Sequence, residues 1–352
     1  MPIDKNNHDY NGEVQEMIWN FATNLVPLEI TLPMIPEQLR DPCTDLYNFT
    51  TDILNDLYDN AEDYGITDTA YNSVLFFTWY FSWVYKKFRF IEDVFTASKD
   101  EYKKFMNGPF MMNQKNRQSV ETMYARHGLE INTEWESVRI SSSRYPGMMK
   151  AIFEVLTAAY QNYKVNCGDY LFTCDFRAIV DYKRTYADIF YMLNDEGKAI
   201  AEHIDSFAAG LKIKPSKCNF FNRVDFKKKG KKIFILDVVR QKNIRITMGI
   251  AEIGTEVFQM VEKEIEKYED ADKFIEFVRK NMPKCKNCNT GCYYRANPKE
   301  FFGKKTIICN NSIPLVMIYA PAKQDLEYIC RLISLRAMVM ETGISDPFYP
   351  VY

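Results

Sequence analysis

Several features that mark common classes of protein are absent from this sequence of 352 residues. The first residues, MPIDKNNHDYNGEVQEM, lack the basic start and the apolar run of a secretion signal. The most apolar run, VLFFTWYFSWVY at 74–85, ends at Lys86 and is shorter than the roughly 20 residues needed to cross a bilayer. A formal net charge of −2 gives the chain as a whole no preference for a polyanion. We therefore expect a cytosolic protein without a membrane span.

The sequence also lacks the motifs of well-known catalytic sites. It has three histidines, none with the sequence partners of a catalytic triad, and it contains no P-loop, no glycine-rich dinucleotide motif, no G-x-S-x-G and no H-E-x-x-H. His127, just before Gly128, is expected to be a cation at a helix C-terminus. Asp175 and Arg177 are expected to form a surface ion pair on one face of a strand. These observations favour a protein that is not an enzyme, although a new kind of site would leave no such motif.

What the sequence does contain is a large share of apolar residues, 47% hydrophobic and 15% aromatic, which indicates a folded chain. Its length exceeds what one core usually fills, so we predict two domains of α+β fold. Residues 1–40 are predicted to be an extended N-terminal arm, and 41–190 a helix-rich α+β domain. Residues 191–352 are predicted to form a smaller α+β domain with a three- to five-stranded antiparallel sheet and a cysteine-knuckle insertion.

Hydrophobic periodicity and turn residues place the elements of the first domain. The prolines of VPLEITLPMIPEQL favour an extended arm over a helix. Residues 41–68 carry eight acidic residues and no Lys or Arg, with apolar residues at helical spacing, which predicts an amphipathic helix with an acidic face. The remaining predictions are a buried helix at about 70–91, a helix at 116–127, a hairpin in GLEINTEWESVRIS, a helix in YPGMMKAIFEVLTAAYQNY and a strand in YLFTCDF at 170–176.

The second domain is predicted to combine helices at its ends with a sheet between them. The predicted helices are 196–211, 255–267, 271–281 and 322–340, and the predicted strands lie near 219–227, 232–239, 243–250 and 313–319. The turn KKKGKK between the first two strands is expected to be a solvated hairpin tip.

Four clustered cysteines are the most informative chemical feature of the sequence. Cys285, Cys288, Cys292 and Cys309 have the spacing C-x2-C-x3-C-x16-C, and Asn289, Thr290 and Gly291 supply a turn. Nine cysteines in a reducing compartment are unsuited to a disulfide framework, so clustered ones favour a metal. Four thiolates satisfy tetrahedral Zn²⁺ and leave no position for water, which is typical of a structural site. An iron–sulfur cluster and unligated thiols remain alternatives.

The cysteine segment is also basic and aromatic. Between Arg279 and Lys305 there are eight basic residues and one acid, with four aromatic residues interleaved. Such a surface could hold phosphates and stack bases, and the candidate contacts are Lys284, Lys286, Arg295, Lys299, Lys304 and Lys305. The alternative is that the basic side chains offset the thiolate charge and that this loop docks on the acidic helix at 41–68.

Four stretches of this sequence together resemble a known family. HGLEINTEWESVRISSSRYPGMMKAIFEVL, the cysteine segments CKNCNTGC and FFGKKTIIC, and the final PAKQDLEYICRLISLR are similar to a family of uncharacterised proteins of anaerobic Firmicutes with a C-terminal four-cysteine segment. The resemblance covers roughly residues 115–340 and implies no activity. The order of elements over 196–281 is also similar to that of small ligand-binding modules of the gyrase-inhibitor-like kind, which implies no site residues.

The sequence thus predicts a cytoplasmic binding or accessory protein of unknown ligand with a structural zinc site. A nucleic-acid-binding protein that uses the basic cysteine loop is the first alternative. A small-molecule-binding protein or enzyme with a pocket between its domains is the second. A protein partner or self-association is compatible with each of them.

Overall fold

The computed structural model describes residues 24–64, 76–107, 121–162, 167–216, 223–239, 243–251, 255–282, 297–308 and 315–342, with 15, 18–19 and 21–22. The chain divides into two compact units, Met1–Lys183 and Arg184–Tyr352. Each unit has a hydrophobic core of its own. The first unit is rich in helices and the second combines helices with a five-stranded antiparallel sheet, which confirms the predicted α+β fold class.

The first unit combines a four-stranded antiparallel sheet with helices. Its helices are α1 (Leu28–Thr31), α2 (Arg40–Asn60), α3 (Phe76–Lys87), α4 (Lys99–Met106), α5 (121–126), α6 (Met148–Asn162) and α7 (Cys167–Phe172). Its strands are β1 (Arg89–Ile91), β2 (Val94–Ser98), β3 (Leu129–Glu134) and β4 (Ser137–Ser142), in the order β1-β2-β4-β3.

Helix α2 confirms the amphipathic helix predicted from the acidic stretch. Its apolar residues at helical spacing, Leu46, Phe49, Ile53 and Leu57, are all buried in the core of the first unit. The acidic face is paired within the same unit: Asp45 accepts a hydrogen bond from the Gly147 backbone (2.8 Å), and Asp52 pairs with Arg144 (2.6 Å). These carboxylates fix α2 against the start of α6 and the loop before it.

The predicted extended arm is wrong for the part that the structure describes. Residues 28–39 form α1 and two short 3₁₀ helices, Leu32–Met34 and Glu37–Leu39. Each proline stands immediately before a helical turn or within its first turn, where its fixed φ is compatible with a helix and its missing N–H costs nothing. The prolines therefore limit the length of these helices without making the chain extended.

The predicted strand at 170–176 is also wrong. The chain forms α7 up to Phe172, turns at Cys174 with φ 50°, and continues as a 3₁₀ helix, Phe176–Val180. Every residue from Tyr170 to Ala178 is buried. A short apolar run that is buried on all sides has no diagnostic period, so its alternation could not separate strand from helix.

The second unit is built on a five-stranded antiparallel sheet with the strand order β11-β8-β7-β6-β5. The strands are β5 (Lys214–Pro215), β6 (Arg223–Lys228), β7 (Lys231–Val239), β8 (Asn243–Gly249) and β11 (Leu315–Tyr319), and a separate hairpin contains β9 (Asn297–Phe301) and β10 (Lys304–Ile308). The helices are α8 (Asp195–Gly210), α9 (Glu256–Ile265), α10 (Ala271–Lys280) and α11 (Leu326–Glu341).

Apolar residues of β6, β7, β8 and β11 place one face of this sheet in the core of the second unit. Phe226 stacks on Phe234 with ring centroids 4.3 Å apart, and the apolar residues of α8 and α11 share that core.

The lysines of the β6–β7 turn have more partners within the protein than the predicted solvated hairpin tip would have. Lys228 pairs with Glu341 (2.8 Å) and Lys231 donates to the Met340 carbonyl (3.2 Å), so this tip meets the C-terminal end of α11, where cations are favourable.

Candidate functional site

The structure describes the surroundings of the predicted metal site and not its ligands. Cys285, Cys288, Cys292 and Cys309 lie outside the described residues, as do Lys284, Lys286 and Arg295. Among the residues that are described, no group of three or more His, Cys, Asp or Glu side chains is arranged to hold a metal ion. The zinc site therefore stays a prediction, and the elements on either side of it supply the structural constraints.

The β9–β10 hairpin brings the two ends of the cysteine segments together. Its register pairs Asn297, the first residue of β9, with Ile308, the last residue of β10. Cys309 follows Ile308 directly, and the segment that carries the other three cysteines enters the hairpin at Asn297. Strands paired in a ladder lie about 5 Å apart, so the fourth cysteine begins at the same end of the hairpin as the segment with the first three.

The opposite end of the hairpin is fixed to the helices of the second unit. The guanidinium of Arg279, near the end of α10, donates a hydrogen bond to the Phe302 carbonyl in the hairpin turn (2.7 Å). The Phe302 ring packs on Phe258 of α9, with centroids 5.8 Å apart. The three-cysteine segment leaves α10 only a few residues after Arg279, so it starts near one end of the hairpin and finishes at the other.

Three of the predicted nucleic-acid contacts, Lys299, Lys304 and Lys305, lie on the strands of this hairpin. In the ladder Lys299 pairs with Thr306, Phe301 with Lys304, and Glu300 with Lys305. The other three predicted contacts, Lys284, Lys286 and Arg295, lie outside the described residues, so the nucleic-acid surface stays a prediction.

Comparisons with known proteins give no relative for this chain: no family model, no curated protein and no solved structure matches it.

A polar cluster in the first unit is the chemically richest group of described side chains. Asp56 of α2 accepts hydrogen bonds from Asn60 (2.8 Å) and from the Tyr64 hydroxyl, and His127 Nε2 lies 2.8 Å from its Oδ2. Arg126 donates to the Tyr64 oxygen (2.6 Å) and lies 3.5 Å from the Asp56 carboxylate. His127 does follow a helix, as predicted, but its ring is buried against a carboxylate and does not face solvent.

The electrostatics of this cluster favour an ionised Asp56. Burial raises the pKa of Asp56, but hydrogen bonds from Tyr64, His127 and Asn60 outweigh that effect and bring the pKa below its ordinary value. Burial, followed by the hydrogen bond to Asp56, raises the pKa of Tyr64 above its ordinary value. An ionised Asp56 accepts from His127 Nε2, so this ring nitrogen carries a proton.

The exposure of the Asp56–His127 pair to solvent and ligands limits the chemistry that it can perform. His127 is 9% exposed, and its Nδ1 is buried without a hydrogen-bond partner in the part of the chain that the structure describes. A cavity of about 30 Å³ among the described residues is lined mainly by apolar side chains, and His127 is not one of them. Ligand pockets usually measure about 300 Å³ or more, and a small apolar cavity stays dry. The Asp56–His127 pair therefore has a structural role, because it holds α2 against the end of α5.

The outer face of the second unit's sheet carries paired charges. Asp237 of β7 lies 3.0 Å from Arg245 and 3.9 Å from Arg223, on the neighbouring strands. Burial raises the pKa of Asp237 above its ordinary value, and the two guanidinium groups oppose that rise. Sequence alone missed both polar clusters. The first joins α2 to residues about 70 positions later, and the second depends on the register of neighbouring strands. A signal for the first was the concentration of acids on α2.

Proposed function

We propose that the protein is an intracellular binding or accessory protein whose second unit is stabilised by zinc held by Cys285, Cys288, Cys292 and Cys309. The observation that supports it is the register of the β9–β10 hairpin, which starts Cys309 at the end where the three-cysteine segment arrives. A hairpin that returns a fourth thiolate to the segment with the other three would complete the tetrahedral set of a four-cysteine zinc site.

In this proposal zinc contributes folding free energy and no chemistry. Four thiolates fill the tetrahedral coordination sphere, so no position is left for a water or a substrate. The ion would tie the segment between α10 and β9 to the end of β10, while Arg279 and Phe302 hold the other end of the hairpin. The basic residues around the thiolates would offset their negative charge. The ligand that the protein binds is not specified by this site.

The test is the metal content of untagged protein, measured by mass spectrometry together with counting of free thiols. We expect one zinc per chain, four thiols that become reactive on chelation, and loss of folded structure from the second unit at the same time. Cys288→Ala should abolish stoichiometric zinc. Cys330→Ala is the matched control, because Cys330 is a buried thiol of α11, and it should retain zinc.

Protein without metal, or protein with iron and visible absorbance, would overturn the zinc proposal. Chromatography on heparin tests the nucleic-acid alternative separately. Retention with a steep salt dependence would assign the basic cysteine segment to a polyanion, because displaced counterions make such binding sensitive to salt. Passage without retention at low salt would leave a protein or small-molecule ligand.

A further inference from the structure

The tip of the β3–β4 hairpin presents a tryptophan to solvent. Glu134 pairs with Ser137 at the end of the ladder, so Trp135 and Glu136 form a two-residue turn. Trp135 is 95% exposed, although a tryptophan ring normally contributes more to stability by burial than almost any other side chain. Its exposure leaves it without a role in the packing of the first unit.

Local turn chemistry does not explain this tryptophan either. Trp135 has φ 42°, in the left-handed region where side chains with a Cβ are disfavoured and where hairpin turns prefer Gly, Asn or Asp. The β9–β10 turn offers a comparison inside the same protein, since Phe302 also has a positive φ of 49°. Phe302, however, packs on Phe258 and its carbonyl accepts from Arg279. The backbone of Trp135 is strained in the same way, but among the described residues its exposed side chain has no contact that would offset the strain.

The Trp135 tip, residues 132–136, is held in place by hydrogen bonds on both sides. The Lys99 backbone N–H donates to the Glu136 carbonyl (2.9 Å), and the Ser137 hydroxyl donates to the Glu134 carbonyl (3.3 Å). Lys99 is the first residue of α4, whose start is fixed by a capping box between Ser98 and Glu101. The ring is thus presented from an anchored turn, and a partner that contacts it would not need to order the backbone first.

The acids of this tip indicate the chemistry of a partner. Glu134 and Glu136 flank Trp135 and are exposed, and Glu130 lies on the same strand. The basic residues nearby are Lys99, whose backbone contacts Glu136, and Arg139 of β4, opposite Asn132. In the described part of the chain β3 is an edge strand, and its end at 132–134 is exposed. A second copy of β3 would bring these acids against one another, which is unfavourable, whereas an extended basic segment would meet carboxylates and an aromatic face that attracts Arg or Lys.

We propose that the Trp135 tip, residues 132–136, is a docking site for an extended arginine- or lysine-rich segment of a partner protein. A basic side chain of the partner stacks on the Trp135 ring and its neighbours pair with Glu134 and Glu136. The exposed edge of β3 can add main-chain hydrogen bonds to the same segment. This inference goes beyond the zinc proposal and does not depend on the cysteines.

The test measures binding of fluorescein-labelled peptides to the full-length protein by fluorescence anisotropy. The probe is a short peptide that alternates arginine and threonine, so that its cations lie on one face of a strand. We expect saturable binding that weakens with salt, and at least about tenfold weaker binding by Trp135→Gly, as for a central aromatic contact. The variant E134Q/E136Q should bind several-fold more weakly. Lys229→Gly, the corresponding change in the β6–β7 turn, should bind like the unchanged protein.

Glycine at position 135 removes the Cβ from a left-handed backbone, so Trp135→Gly should unfold at the same temperature as the unchanged protein or higher. This separates loss of binding from loss of fold. The proposal is overturned if Trp135→Gly binds the peptide as well as the unchanged protein does. It is overturned equally if a glutamate–threonine peptide binds as tightly, or if sedimentation shows that Trp135 mediates self-association.

Discussion

At the scale of single residues, Asp175 and Arg177 show how the surroundings decide what an ion pair does. Sequence alternation predicted a surface pair on a strand, but both residues are buried, at 0% and 3% exposure, in the 3₁₀ segment after α7. The guanidinium forms two hydrogen bonds with the carboxylate, at 2.7 and 3.0 Å. It also stacks on Tyr182, 4.3 Å from the ring centroid. The pair is therefore part of the core of the first unit.

Replacing one partner of this buried pair should be strongly destabilising. We expect Arg177→Met to lower the free energy of unfolding by about 3–5 kcal/mol, because it leaves a buried carboxylate without its cation. The measurement is chemical denaturation followed by circular dichroism. The matched control is Lys183→Met, since Lys183 and Asp181 form an exposed pair that should contribute less than about 1 kcal/mol. Equal effects of the two changes would contradict the distinction between buried and exposed pairs.

At the scale of elements, the sequence was most informative where the hydrophobic pattern was long and one-sided. The amphipathic pattern of α2, the β3–β4 hairpin, α6 and the strands of the second unit's sheet were all predicted and are confirmed. The errors, the extended arm and the strand at 170–176, fall on short segments: the first is made of single helical turns separated by prolines, and the second is buried throughout. In such segments tertiary packing decides the local conformation, and neither the hydrophobic period nor the secondary-structure propensity of the residues predicts it.

The contact between α2 and α6 depends on a glycine that no periodic pattern would identify. A Cβ on Gly147 would lie 2.7 Å from the Pro42 Cα, closer than folded proteins permit, and Gly147 also donates its N–H to Asp45. Gly147→Ala should therefore lower the free energy of unfolding by about 1–3 kcal/mol, as α2 and α6 are forced apart.

A second glycine supplies the control for that experiment. Gly210 is the last residue of α8 and a Cβ there would meet nothing within 4 Å. Gly210→Ala should raise stability by about 0.5–1 kcal/mol, because alanine loses less backbone entropy in a helix. Both changes can be compared by the same thermal unfolding measurement. A similar effect at the two positions would show that the α2–α6 contact is not limited by the space at Gly147.

At the scale of the whole molecule, the separation into two cores is the main feature. Buried apolar residues up to Ala178 belong to one cluster and those from Ile189 onward to another. We expect residues 1–183 and 184–352, expressed separately, each to give a cooperative unfolding transition, the second in the presence of zinc. Far-ultraviolet circular dichroism during heating would measure this. A half that stays unfolded under these conditions would show that its core is incomplete without the other.

The candidate site was predictable to a smaller degree than the fold. Cysteine spacing identifies ligand candidates because it is local, whereas the Asp56 cluster joins residues far apart in the chain. The exposure of Trp135 was likewise invisible in the sequence, since an alternating hairpin pattern with a tryptophan at its turn does not state whether the ring packs inward. A site built from residues far apart in the sequence can be recognised only when the fold is known.

The strand order of the second unit has a consequence for the sequence of folding events. Strands β5 to β8 follow one another as a meander, so their pairing closes only short loops, but β11 must find β8 across the whole connection from 250 to 314. Long loops close slowly, and each doubling of length adds about 0.6 kcal/mol of entropy cost. The cysteine segments lie inside this connection. If the four cysteines bind zinc as proposed, the ion would close part of this connection, and the sheet should be completed faster with zinc than without it.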